Sequence, residues 1–163
     1  MDDFDVEASR QRAGLTADGR DDHLLIRCAS LAASSHNTQP WIFRTGPDSI
    51  TIRPDTARRC TVVDPDDAHL FRSLGCAAEN RVQAAAAQGL EARVRFDPTD
   101  DSVIINLAAS APITSTDLFD AIGTRQCTRL AFDGTPVNPD DLAHLELAGT
   151  GAAADRWEVT SPE

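Results

Sequence analysis

Apolar residues along this chain fall into short periodic runs, separated by polar stretches rich in proline, glycine and aspartate. Between His23 and Ala33, Leu24, Leu25, Cys28 and Leu31 recur at helical spacing, and Asp21 or Asp22 is placed to cap the start. The runs WIFRT and SITIRP, divided by Gly46, Pro47 and Asp48, predict a β-hairpin over residues 41 to 53. Alternation puts Trp41 and Phe43 on one face, Ile50 and Ile52 on another. Asp64 and Pro65 are suited to open a helix that runs to about Gln88 and stops at Gly89. At about 22 residues it would be roughly 33 Å long, enough to cross a domain. Its inner part, GCAAENRVQAAAAQG, is dominated by Ala and offers a small-residue surface to another helix or a planar ligand. EARVRF and SVIINLAA follow as two more strands joined by the turn-forming DPTDD, then helices over Asp117 to Ile122 and Pro139 to Leu147, and a last strand over Arg156 to Thr160. Hairpin-type connections between strands favour an α+β fold over a doubly wound one.

Composition narrows what such a fold can do. The 163 residues carry 15 basic and 26 acidic side chains, a net charge of -11. That size is one soluble domain with a core large enough to need no disulfide or metal. The pI near 4.6 excludes electrostatic capture of nucleic acid or anionic lipid. No run approaches the roughly 18 apolar residues of a membrane span, and the acidic start MDDFDVEASR is unlike a secretory signal, so a cytoplasmic protein is expected. Every basic residue is Arg, which removes Schiff-base chemistry and a P-loop lysine together. Cys28, Cys60, Cys76 and Cys127 lie too far apart in sequence for a C-x2-C metal site and are expected as reduced, mostly buried thiols, with no metal bound. Residues 1 to 21 are polar and expected to form an arm or one short helix.

The segment richest in chemistry is SSHNTQPW at 34 to 41, which sets six hydrogen-bonding side chains between a helix end and a strand start. Such a loop can present side chains and backbone amides to a polar planar ligand, or it can be an ordinary connection that satisfies free helix carbonyls. Arg125 and Arg129, four apart, can project from one side of a helical turn toward phosphate oxygens, or answer Asp117, Asp120 and Asp133 in solvent. His36 beside Ser34 and Ser35 lacks the G-x-S-x-G elbow of a hydrolase. GTGAAA at 149 to 154 follows a helix rather than a strand and reads as a linker, not a dinucleotide loop. Asp64, Asp66 and Asp67 are explained by helix capping without a cation, and Asn80 by a hydrogen bond between helices.

A helix containing AS-x-AA, then SSHNTQPW, a hairpin and a long helix of the form G-x-AAEN-x6-A-x-GL closely resembles the flavin-dependent nitroreductase superfamily. HNTQPW and the loop ARRCTVVDPDD are similar to its two-lobed, Acg-type branch, over roughly residues 20 to 150. The resemblance implies a nitroreductase-like fold, here incomplete: a mixed sheet flanked by helices with the long Ala-rich helix at its centre. It implies an N-terminal arm at 1–21, a first lobe at 22–114 and the start of a second lobe at 115–163. In that superfamily FMN lies between two copies of the fold, so a homodimer, or pairing with a second lobe, is implied. The flavin-facing loop maps to Ser34, Ser35, Asn37 and Gln39, and the phosphate-holding segment to Arg125, Gln126, Cys127 and Arg129. This second segment departs from R-R-S-x-R, with Gln126 and Cys127 in place of Arg and Ser. Hydride would pass from NAD(P)H through the flavin to a nitroaromatic or quinone-type small-molecule acceptor, and no catalytic side chain is implied. The rival expectation is a truncated or degenerate lobe that binds or sequesters flavin, or serves as an assembly partner, without turnover.

Overall fold

The computed structural model describes residues 20–110, 117–128, 130–150 and 157–159. Helix α1 is Asp22–Ser30. It begins where the Asp21 carboxylate accepts the Leu24 N–H at 3.0 Å, satisfying one of the donors a helix start leaves free. Strands β1 (Trp41–Thr45) and β2 (Ser49–Pro54) form the expected hairpin. Its register pairs Phe43 with Ile52 and Trp41 with Pro54, so the apolar residues of both strands point the same way and not, as alternation alone suggested, to different faces. Residues directly opposite in a ladder share a face, and pairing decides what two separate alternations cannot.

The long helix is α2, Ala68–Ala87, of 20 residues. It starts later than the sequence suggests, because 61–67 form turns. Asp64 still caps it from a distance, accepting the N–H groups of His69 and Leu70 at 2.9 Å each. Asp66 accepts from Ala68 N–H, and Asp67 is tied to Arg59 at 2.6 Å; capping and pairing account for this acidic cluster. Gly89, at φ 73°, ends the helix in the left-handed conformation that favours glycine. Strands β3 (Leu90–Asp97) and β4 (Ser102–Ala109) follow, then α3 (Asp117–Ile122), α4 (Pro139–Thr150) and β5 (Trp157–Val159).

The strand order is β1-β2-β4-β3-β5, antiparallel except for the parallel pair β3 and β5. This is the mixed sheet with a central helix expected of an α+β protein, compatible with a nitroreductase-like architecture. Ile50, Ile105 and Val94 align across adjacent strands, as do Ile52, Val103 and Phe96. The first three and Ile52 are at most 1 % exposed, and each such side chain contributes about 1.5–3 kcal/mol by leaving water. Leu70, Leu74, Ala77, Ala78, Val82, Ala84 and Ala85 of α2 join the same core with Leu24, Leu25, Cys28 and Ala29 of α1. Between the two helices Asn80 Nδ2 donates to Cys28 O at 3.0 Å, while Gln88 and Asp21 exchange two hydrogen bonds. The helix-crossing reading of Asn80 therefore holds.

Two features depart from expectation. Only Cys28 of the four free cysteines is buried; Cys60 is half-buried, and Cys76 and Cys127 are exposed. Burial pushes the Cys28 thiol up to about 11, with Asp21 adding to the rise and Arg27 and Arg81 opposing it. Arg81 lies wholly inside the core with its guanidinium 5.0 Å above the Phe43 ring, and none of its three nitrogens has a hydrogen-bond partner. Desolvation lowers it to about 9, against the favourable charge of Asp22. Among the described residues no His, Cys, Asp and Glu group could hold a metal ion, and no helix is long and apolar enough to cross a membrane.

Candidate functional site

The stretch between α1 and β1 is ordered by its own polar side chains. Ser34 is extended, Ser35–Asn37 form one 3-10 turn, and His36, Asn37 and Gln39 all have positive φ, at 51°, 55° and 50°. Each non-glycine residue there costs roughly 1–2 kcal/mol, so the surroundings must impose the shape. They do so through four bonds inside the loop. Asn37 N–H donates to Ser34 O, Thr38 N–H and Oγ1 donate to Ser35 O, and Gln39 N–H donates to Ser34 Oγ at 3.0 Å. From outside, Gln39 Nε2 reaches Ser30 O at 3.5 Å and Arg58 Nη1 donates to Thr38 O at 3.1 Å. Arg58 is a holding residue that sequence reasoning missed; it sits in a second 3-10 turn, Thr56–Arg58, and no spacing signals its reach.

The second segment arrives from the far end of the chain. α3 anchors itself through buried Phe119 and Ile122, and Arg125 N–H closes its last turn on Ala121 O at 2.9 Å. Residues 125–128 then leave the helix, so the expected helical turn carrying two arginines does not form over them. Arg125 Nη2 donates to Leu31 O at 2.9 Å, a carbonyl just past the end of α1, and Nη1 donates to Cys127 Sγ at 3.0 Å. Its hydrogen-bond partners among the described residues are thus a carbonyl and a thiol, not the Asp residues considered as its solvent partners. A guanidinium has five N–H donors, so three remain for a ligand.

These two segments enclose a cavity of about 440 Å3 whose lining includes Ser34, His36, Asn37, Arg125 and Cys127. Of the expected site residues the structure brings Ser34, Asn37, Arg125 and Cys127 together around it, and His36, not expected there, joins them. Ser35 lines a second cavity, of about 280 Å3, on the other side of Ser34 toward α2. Gln39 is half-buried and spends its side chain on Ser30 O, whereas Gln126 is exposed and lines neither cavity. Arg129 lies outside the described residues. The second cavity was not anticipated: His69, Arg72, Ser73 and Cys76 face it from α2. Their signal was in the sequence as polar residues at helical spacing in the first half of the helix.

The chain resembles NAD(P)H nitroreductases. Two curated Mycobacterium tuberculosis proteins, from strains CDC 1551 / Oshkosh and H37Rv, carry that name provisionally, and each is 36% identical to it over 126 residues. The match covers 73% of this chain, and the chain spans 36% of each relative's length. No family model matches the chain. The likeness supports a place among the nitroreductases, whose names indicate reduction by a nicotinamide cofactor.

Proposed function

We propose that this chain is a lobe of an FMN-binding, NAD(P)H-dependent nitroreductase-like oxidoreductase of the two-lobed type. The observation that carries this is the cavity in which the Ser34–Asn37 loop meets Arg125. A bound flavin would supply the redox chemistry, hydride transfer between a nicotinamide cofactor and a nitroaromatic or quinone-type acceptor. The protein's task is to bind and orient.

The residues present fit a planar polar group with an anionic tail. The N–H groups of Ser35 and His36 have no hydrogen-bond partner among the described residues, and the Ser34 and Asn37 side chains edge the cavity. Arg125 supplies the planar fork that matches phosphate oxygens. Its bond to Leu31 O holds that fork against the loop before any ligand arrives, which reduces the ordering cost of binding. In this reading Cys127 flanks the phosphate, Gln126 stays at the solvent-exposed edge, Gln39 positions the loop from behind, and Arg129 adds a second cation. Residues 22–114 form the first lobe and 115–163 open a second, and a further lobe or a second copy of the chain completes the flavin interface.

The test is a titration of purified protein with FMN followed in the visible spectrum, repeated with Arg125→Ala, and an NADH or NADPH consumption assay with a nitroaromatic acceptor. Saturable flavin binding that Arg125→Ala weakens, together with turnover, is the expected result; an unchanged flavin spectrum sinks the assignment. A second reading, a flavin-holding lobe without turnover, is favoured by the exposure of 123–128, which leaves one wall of the cavity open to solvent. Flavin binding without NAD(P)H consumption would select it.

A further inference from the structure

We infer that the cavity between α2 and Ser35 binds the anionic group of an acidic aromatic acceptor, a nitrobenzoate rather than a neutral nitroarene. This rests on the flavin reading of the neighbouring cavity only for the word acceptor. Ala33 and Ser34 line both cavities, so a molecule seated in the second abuts the first across a single stretch of backbone.

Charge and hydrogen bonding select the ligand. In a chain of net charge -11, the described arginines 20, 53, 58, 59, 93 and 95 are each paired with a carboxylate. Arg72 is exposed and makes no hydrogen bond or ion pair among the described residues, although it faces a cavity. His69, three residues earlier on the same helix face, adds a ring N–H, and the Ser34 and Ser35 hydroxyls add two donors opposite. The nearby Asp64 carboxylate is turned away from this function: it is buried and occupied by the His69 and Leu70 N–H groups. Cys76 and Ala33 supply the soft, small-residue wall that a ring packs against. A carboxylate or a phosphate meets these donors equally well; the apolar wall beside them favours an anion carried on an aromatic ring.

The experiment measures binding of 4-nitrobenzoate, neutral 4-nitrobenzamide and inorganic pyrophosphate by calorimetry, without flavin, to the full chain and to Arg72→Met. Preference of the unmodified chain for nitrobenzoate over the amide by roughly tenfold, the order of one charge-assisted hydrogen bond, and its loss in Arg72→Met, is the expected result. An unaltered urea unfolding curve of Arg72→Met shows that the variant is folded. Equal affinity for acid and amide overturns the inference. Arg72-dependent pyrophosphate binding without a nitrobenzoate preference also overturns it, assigning the cavity to a nucleotide diphosphate instead. Because these measurements need no flavin, their failure is distinguishable from failure of the flavin assignment itself.

Discussion

Arg125 and Leu31, 94 positions apart, are joined by a 2.9 Å hydrogen bond from the guanidinium to a carbonyl at the end of α1. One cation thereby closes a helix end and stands over the loop that follows it. Replacing Arg125 with Lys keeps the charge but loses the fork, because its donors sit on one nitrogen and cannot reach Leu31 O and Cys127 Sγ from two, as Nη2 and Nη1 do. FMN affinity is expected to fall roughly 10-fold or more for Arg125→Lys and further for Arg125→Ala, read by flavin fluorescence quenching.

Ser34→Ala removes the acceptor of the Gln39 N–H in a loop that holds three positive-φ residues. A loss of about 1 kcal/mol in urea unfolding is expected, with a larger proportional loss of flavin affinity than of stability. Equal flavin affinity in Ser34→Ala and the parent chain would show that the loop's shape does not matter for binding.

Arg81 carries a charge in the core with no hydrogen-bonded partner, and desolvation is the main cause of its lowered pKa. Arg81→Met is expected to stabilise the fold by about 1–4 kcal/mol at neutral pH, because the cost of burying the ion outweighs the cation–π contact with Phe43. The sign with pH follows from linkage. Arg81 binds its proton more weakly folded than unfolded, so the parent chain gains stability as pH rises through about 9, and the advantage of Arg81→Met shrinks there. Urea unfolding of both proteins at pH 7 and pH 10 checks this.

Asp64 illustrates the opposite end of the pH scale. Burial alone would raise its carboxyl, but the backbone N–H groups of His69 and Leu70 outweigh that and hold it below the usual range. A carboxylate with a lowered folded pKa stabilises above the unfolded value near 4 and loses that contribution as pH falls through the folded value. Asp64→Asn is expected to flatten acid unfolding below pH 4 and to fray the start of α2, seen as faster hydrogen exchange at His69 and Leu70.

Thiol labelling separates the four cysteines. Cys76 and Cys127 are expected to react first with an aromatic disulfide reagent, Cys60 more slowly, and Cys28 only on unfolding, since it is buried with its thiol held protonated. Mass mapping of the labelled peptides gives the order.

By itself the sequence determined the elements and most of their ends, the start of α2 at Ala68 rather than beside Asp64 being an exception. The period of Leu24 to Leu31, the turn at Gly46 to Asp48, the Ala-rich run closing at Gly89 and the alternation in SVIINLAA are local signals, and each element formed close to where they place it. It also marked the loop at Ser34 to Gln39 as a candidate, through the resemblance carried by SSHNTQPW, since its polar composition fits an ordinary helix-to-strand connection equally well. Tertiary structure alone decided which faces meet and which chemistry shares a cavity. Pairing of Phe43 with Ile52 put the hairpin's apolar residues on one side, and the docking of α3 delivered Arg125 to Leu31. Arg72 was left facing a cavity while Arg81 was enclosed, although both lie on one helix. Periodicity records which residues share a face of their own element. What that face touches depends on contacts between residues far apart in the chain, and no spacing records those.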